Sequence, residues 1–123
     1  MTDELYKEVI LDHYKHPHNK GKLENATVKQ TEQNPICGDV VTIYLNIADN
    51  VITDISFNGC GCAISTAAAS LLTDHLKGKT IEEAQNLSRD DMVSLLTVSI
   101  SPARTKCAML ALVAVKNGTA GLR

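Results

Sequence analysis

Two runs of alternating residues decide the fold of this chain: Val41-Thr42-Ile43-Tyr44-Leu45-Asn46-Ile47 and Val51-Ile52-Thr53-Asp54-Ile55-Ser56-Phe57. Apolar and polar residues alternate along both runs, which is the pattern of a strand with one buried face. The turn at Asp49-Asn50 between them is short enough for a hairpin. A third alternating segment, residues 26–33, precedes them. Together the three segments predict a small antiparallel meander.

Helical patterns flank these strands on both sides. Residues 3–15 repeat apolar positions near the helical period, and residues 63–77 are rich in Ala and Leu without Gly or Pro. Thr80 and Ser88 each open a segment with the spacing of a capping box, and a last helix is predicted from about residue 103 to residue 116. The chain therefore predicts an α+β fold in one domain, residues 1–123, with a three-stranded antiparallel sheet covered by about five helices.

Composition narrows the class of function. The 123 residues carry a formal net charge of -2, and aromatic residues make up 3% of the chain with no Trp. A chain without a basic surplus or aromatic platforms is a poor nucleic-acid binder. No apolar run approaches the roughly 20 residues of a membrane span. Because the first residues, Met1 to Glu4, are acidic and polar instead of forming a secretory signal, we expect a cytoplasmic protein without membrane association.

Four cysteines lie where regular elements are predicted to begin or end: Cys37, Cys60, Cys62 and Cys107. In a reducing compartment such residues are more often thiols or metal ligands than disulfides. Cys62 falls at a predicted helix start, where the helix dipole favours a thiolate, and Cys107 has cationic neighbours in sequence. Asp39 adds a harder oxygen ligand two residues after Cys37. Soft thiolates with one displaceable carboxylate predict a metal site that exchanges ligands.

Three histidines, His13, His16 and His18, cluster around the end of the first predicted helix. They allow a second metal site, but packing of the helix end is the interpretation that we favour.

Four motifs in order give the chain a family resemblance: Asp12-His13-Tyr14-Lys15-His16-Pro17-His18-Asn19, Asn34-Pro35-Ile36-Cys37-Gly38-Asp39, Phe57-Asn58-Gly59-Cys60-Gly61-Cys62-Ala63-Ile64-Ser65 and Arg104-Thr105-Lys106-Cys107-Ala108. In this order and spacing the chain resembles the IscU/SufU family of iron–sulfur cluster assembly proteins, which are related to the N-terminal domain of NifU. The likeness covers nearly the whole chain.

The resemblance implies a metal site formed by Cys37, Asp39, Cys62 and Cys107, with zinc as the resting metal. It also implies a pyridoxal-phosphate-dependent cysteine desulfurase as the partner that delivers persulfide sulfur. In a zinc-dependent sulfur shuttle, this sulfur is then passed to another scaffold. In a cluster scaffold, it enters a transient [2Fe–2S] cluster that is assembled on the same ligands and passed to apo iron–sulfur proteins. By resemblance to SufU the persulfide acceptor is Cys37, and by resemblance to IscU it is Cys107. We expect Cys37.

The two branches of the family are mixed in this chain. Lys106 stands before the last cysteine, as in SufU-type proteins, where IscU-type scaffolds carry His. The interval of 45 positions between Cys62 and Cys107 is short, as in IscU-type proteins. Cys60 falls where IscU-type proteins place their middle ligand, which makes it an accessory thiol or an alternative ligand. The Hsp70 recognition segment of IscU-type scaffolds is poorly matched by residues 100–104, so we do not expect a dedicated chaperone.

Two other classes of protein fit a chain with these thiols. One is a stand-alone thiol oxidoreductase, although the chain has C-x-C instead of the C-x-x-C of that class. The other is a purely structural zinc domain, for which the carboxylate would be an unusual ligand.

Overall fold

A computed structural model describes residues 3–35, 38–96 and 102–122, so Cys37 and part of the segment 100–104 lie outside the described residues. The elements follow the order α1 (Asp3–Lys15), β1 (Val28–Asn34), β2 (Asp39–Ala48), β3 (Val51–Cys60), α2 (Ala63–Leu76), α3 (Ile81–Asn86), α4 (Arg89–Leu96) and α5 (Pro102–Thr119). This confirms the α+β class and the predicted helices and strands. In the described part of the chain, none of the helices combines the length and apolar character needed to span a bilayer.

The sheet is an antiparallel meander with the strand order β1-β2-β3. Alternate residues of β2, beginning with Val41, Ile43 and Leu45, are buried on the face that the helices cover. Several strand ends differ from the prediction by one to three residues, including one end each of β2 and β3 that lies next to a glycine. Strand β2 already begins at Asp39, which pairs with Asn34, and β3 continues to Cys60, which pairs with Val40. These end residues are polar or next to glycine, so backbone pairing with a neighbour extends the strands where no side-chain alternation marks them.

Helices α2 and α5 form the layer that packs on the sheet. Three consecutive alanines of α2, Ala67 to Ala69, are fully buried, and α5 buries Ala108, Ala111 and Ala114. Small side chains allow the two helices to approach closely, while Leu72 and Leu112 fill the space between them and the sheet. This packing holds the N-terminal ends of both helices, and the cysteines near them, in a defined place relative to the strands.

Both short helices begin with the caps that their sequences predict. Thr80 Oγ1 accepts a hydrogen bond from the Glu83 backbone N–H at 3.1 Å, and the Glu83 side chain accepts one from the Thr80 N–H. Ser88 and Asp91 make the same reciprocal pair at the start of α4. Each cap satisfies backbone donors that a helix start leaves without partners.

The outer edge of β3 is hydrogen-bonded near both of its ends. Near one end, Phe57 exchanges backbone hydrogen bonds with Asn19 and Gly21, and near the other, Ile52 does so with Gly78 and Lys79. These segments are far from β3 in sequence, so the edge strand is closed by the chain on either side of the sheet.

The end of α1 and the residues after it are fastened to α2 by the first and third histidines of the predicted cluster. The His18 backbone N–H donates to Ser70 Oγ at 2.8 Å, and the same Ser70 hydroxyl is hydrogen-bonded to His13 Nδ1 at 2.6 Å. His18 Nδ1 lies 2.5 Å from Asp74 Oδ2, and the Asn19 amide donates to the same carboxylate. Packing of the helix end is thus what the described contacts show, and His16 is exposed.

The contacts of this cluster shift two pKa values. Burial lowers the pKa of His13, and the nearby His18 adds to that effect. Burial raises the pKa of Asp74, but hydrogen bonds from His18 and Asn19 outweigh it, so the pKa stays below the ordinary aspartate value. His13 is therefore held as a neutral ring and Asp74 as a carboxylate.

Candidate metal centre

Asp39 is a buried carboxylate at the first position of β2. Only 3% of its surface is exposed. Its Oδ1 accepts a hydrogen bond from the Cys62 backbone N–H at 3.0 Å, and its Oδ2 lies 3.7 Å from Cys62 Sγ. A buried charge is costly unless hydrogen bonds or a cation stabilise it. The carboxylate is thus tied through one oxygen and presents the other to a thiol.

Cys62 is the N-cap residue of α2, as its predicted place at a helix start requires. Its backbone is extended, with φ -70° and ψ 170°, and its Sγ accepts the Ser65 backbone N–H at 3.4 Å. The sulfur thus satisfies one of the backbone donors that a helix start leaves without a partner. Cys62 is half-buried.

Cys107 lies in the second turn of α5 and is fully buried. The side-chain amide of Asn34, the last residue of β1, points at Cys107 Sγ with its Nδ2 at 4.0 Å. Lys106, which the sequence suggested as a cation beside this thiol, is exposed. It lines an open cleft of about 340 Å³ between the end of β1 and α5, whose other walls include Asn34 and Met109.

Asp39, Cys62 and Cys107 converge although they are far apart in sequence. One carboxylate oxygen and the two sulfurs all lie within 4.8 Å of one another. Around a tetrahedral zinc ion with Zn–S bonds of about 2.3 Å, neighbouring sulfurs lie about 3.8 Å apart. A sulfur and a carboxylate oxygen on the same ion lie about 3.6 Å apart, so the three groups fit a metal ion after contracting by at most about 1.2 Å. Two soft sulfurs and one carboxylate oxygen suit zinc or ferrous iron.

Glycines on the β3–α2 connection allow this approach. A Cβ on Gly61 would lie 3.1 Å from both Asp39 Oδ1 and Ser65 Oγ, so a side chain there would press on the carboxylate. Gly59 has φ +140°, and a Cβ there would lie 2.1 Å from the Val40 backbone oxygen. Both positions place the Cys62 backbone against β2 at a distance that larger residues would not permit.

Of the predicted site residues, the structure brings together Asp39, Cys62 and Cys107, and Cys37 lies outside the described residues. Cys60, the predicted accessory thiol, is the last residue of β3. Sequence reasoning missed Asn34 and gave no role to Ser65. Asn34 stands within the quoted motif, but its pairing opposite Asp39 is visible only in the folded sheet.

Comparison with known proteins agrees with the site. The chain is 38% identical to the zinc-dependent sulfurtransferase SufU of Bacillus subtilis, with 96% of this chain and 91% of that protein covered. It is 45% identical to the iron–sulfur cluster assembly scaffold protein IscU 1 of Archaeoglobus fulgidus over 92 residues, which are 75% of this chain and 60% of that one. The crystal structure of FiSufU from Fervidobacterium islandicum AW-1 superposes with a TM-score of 0.79 at 29% identity, covering 96% of this chain and 98% of that chain.

The alignments with the Bacillus and Archaeoglobus proteins differ in length relative to this chain. The alignment with the Bacillus protein runs over 135 positions, more than the 123 residues of this chain, so that protein carries residues without a counterpart here. The alignment with the Archaeoglobus protein includes no such excess. The sequence pattern described as "NifU-like N terminal domain" matches residues 5–122. This chain therefore belongs to the NifU-like N-terminal domain family.

Proposed function

We propose that this chain is an iron–sulfur cluster assembly protein that accepts persulfide sulfur from a cysteine desulfurase at a site formed by Cys37, Asp39, Cys62 and Cys107. The observation that carries the proposal is the convergence of Asp39, Cys62 and Cys107 within 4.8 Å. Membership of a family whose relatives are named as a sulfurtransferase and as assembly scaffolds supports it.

The donor set suits a metal that is held and then partly released. Zinc bound here would keep the thiols deprotonated and order the segments that carry them. Asp39 is the ligand that a competitor displaces most easily, because a carboxylate binds a soft metal less firmly than a thiolate does. Its hydrogen bond from the Cys62 N–H would hold the freed carboxylate in place.

On docking, the desulfurase would supply a competing ligand to the site and release one cysteine of this chain, whose thiolate would attack the outer sulfur of the desulfurase persulfide. A new S–S bond forms on this chain, and the bond between that sulfur and the desulfurase cysteine breaks, so the desulfurase leaves as a thiolate. Cys37 is the proposed acceptor and Cys107 the alternative. The complete burial of Cys107 supports this order, because an incoming persulfide has to reach the attacking sulfur.

After transfer, two uses of the sulfur differ in what the site retains. A shuttle keeps its zinc and passes sulfur to another scaffold, whereas a scaffold collects iron and sulfide as a [2Fe–2S] cluster. Similarity to the zinc-dependent Bacillus protein supports the shuttle. Similarity to the Archaeoglobus protein, which is named a cluster assembly scaffold, supports the scaffold. For both uses we propose a cytoplasmic protein whose partner is a cysteine desulfurase that carries the pyridoxal phosphate.

The decisive experiment is an anaerobic reaction with the desulfurase, cysteine and ferrous iron, followed by assay of bound iron, acid-labile sulfide and zinc. Equal accumulation of iron and sulfide, with transfer to an apo-ferredoxin, identifies a scaffold. Retained zinc with turnover of persulfide sulfur alone identifies a shuttle. If neither occurs, the assembly function is wrong.

Mass spectrometry of the same reaction without iron locates the persulfide. We expect it on Cys37, absent from the Cys37→Ser variant and retained in Cys60→Ser, which serves as the matched thiol control. Persulfide only on Cys107 would refute Cys37 as acceptor. A reversible disulfide between Cys60 and Cys62 that accounts for all activity would instead indicate a thiol oxidoreductase. Unfolding on metal removal, with no persulfide formed, would indicate a structural zinc domain.

A further inference from the structure

Asn34 contacts more than one part of the sulfur site. Its side-chain Nδ2 lies 4.0 Å from Cys107 Sγ, and its backbone carbonyl accepts the Gly38 N–H at 2.7 Å. Across the β1–β2 pair it stands opposite Asp39. Asn34 is thus placed between the strand that supplies the carboxylate and the helix that supplies the buried thiol.

The side chain of Asn34 is held in this place by burial. Only 7% of the residue is exposed, and Cys107 is fully buried, so the contact between amide and sulfur is shielded from water. A hydrogen bond to a sulfur anion is stronger in such surroundings than in solvent. The amide is neutral, so it orients the sulfur without adding charge to the site. The exposed Lys106 has no such shielding.

We propose that Asn34 is a positioning residue of the metal site, whose amide donates to Cys107 Sγ and sets the direction in which this sulfur faces the metal. The proposal rests on the proposed function only in requiring that the site binds a metal. Partners that orient a metal ligand from outside usually change metal affinity by about 10–100-fold when they are removed. Asn34 is therefore expected to control how firmly Cys107 is held as a ligand.

The test compares zinc affinities of the full chain by competition with a chromophoric chelator. Asn34→Leu keeps the branched shape but lacks the N–H donor, and Asn34→Ala removes the side chain in case the leucine disturbs folding. We expect both to weaken zinc binding by about 10–100-fold. Gln33→Ala, on the exposed neighbouring position of the same strand, is the matched control and should bind zinc like the parent chain.

The absorption spectrum of the cobalt-substituted protein is a second measurement, which would not change if Asn34 only supported the fold. Losing a hydrogen bond raises the energy of the sulfur electrons, so the sulfur-to-cobalt charge-transfer band should shift to longer wavelength in both Asn34 variants and stay in place in Gln33→Ala. Zinc affinity within threefold of the parent together with an unchanged cobalt spectrum would overturn the inference about Asn34. If the parent chain itself fails to bind zinc or cobalt, the proposed metal site is at fault instead.

Discussion

Replacing Gly59 by alanine tests how the β3–α2 connection supports the site. Gly59 pairs with Val41 in the sheet and has φ +140°, a conformation that side chains rarely adopt. An added Cβ would lie 2.1 Å from the Val40 backbone oxygen and 3.0 Å from Val41 Cα. Backbone atoms cannot rotate away as a side-chain end can, so strands β2 and β3 must separate.

Gly78→Ala is the matched control for the size of this effect. Gly78 also has a positive φ, +81°, but no atom lies within 4 Å of an added Cβ there. Its cost is therefore conformational only, about 1–2 kcal/mol. Gly59→Ala has two costs. The backbone strain costs about 1–3 kcal/mol, and the overpacking of the tight contact costs about 1–3 kcal/mol more. We expect a total of about 2–6 kcal/mol, a large share of the roughly 5–15 kcal/mol that stabilises a typical domain.

Urea unfolding followed by circular dichroism measures both variants in the same buffer. The Gly59 variant should lose at least about 1 kcal/mol more than the Gly78 variant, and its zinc affinity should fall because Val40 adjoins Asp39. Equal losses of stability in the two variants would refute the argument that close strand approach at Gly59 holds the site together.

Three further measurements check other parts of the fold. Because the pKa of His13 lies below its ordinary value of 6.5, the unfolded chain takes up a proton that the folded chain refuses. The free energy of unfolding should therefore fall as the pH drops below about 6.5. The fall should be smaller in His13→Gln, and in the exposed control His16→Gln it should equal that of the parent chain. Thr80→Ala removes the cap of α3 and should cost about 1 kcal/mol by urea unfolding, and no loss would contradict the role of the capping box. Leu112→Ala, at a fully buried site, should lower the free energy of unfolding by about 2–5 kcal/mol. Leu122→Ala, at an exposed site, should lower it by less than about 0.5 kcal/mol. Similar losses in the two variants would contradict the burial of Leu112 in the core.

The sequence predicted those parts of the structure that depend on local chemistry. The alternation on either side of Asp49 predicted the hairpin, since only a sheet with one buried face places residues in that order. Thr80 and Ser88 predicted helix starts because their hydroxyl groups satisfy nearby backbone donors. The place of Cys62 at the start of α2 followed from the change of pattern after the glycines.

Features that depend on distant parts of the chain were beyond such reasoning. Strand β2 begins at Asp39 because Asn34 pairs with it, and no pattern of side chains marks that position. The convergence of Asp39, Cys62 and Cys107 depends on how α2 and α5 pack on the sheet, so spacing in sequence alone did not establish it. The family resemblance supplied it as an expectation. The contact of Asn34 with Cys107 required the folded chain.

The closure of the β3 edge by Asn19, Gly21, Gly78 and Lys79 bears on how the protein behaves at high concentration. An open edge strand offers unpaired backbone groups to another chain and promotes aggregation. Here hydrogen bonds at Phe57 and Ile52 occupy that edge near both ends of β3. Another copy of the chain would have to displace them before it could extend the sheet there. Sheet extension across the outer edge of β3 is therefore disfavoured, although that strand ends beside the candidate metal centre.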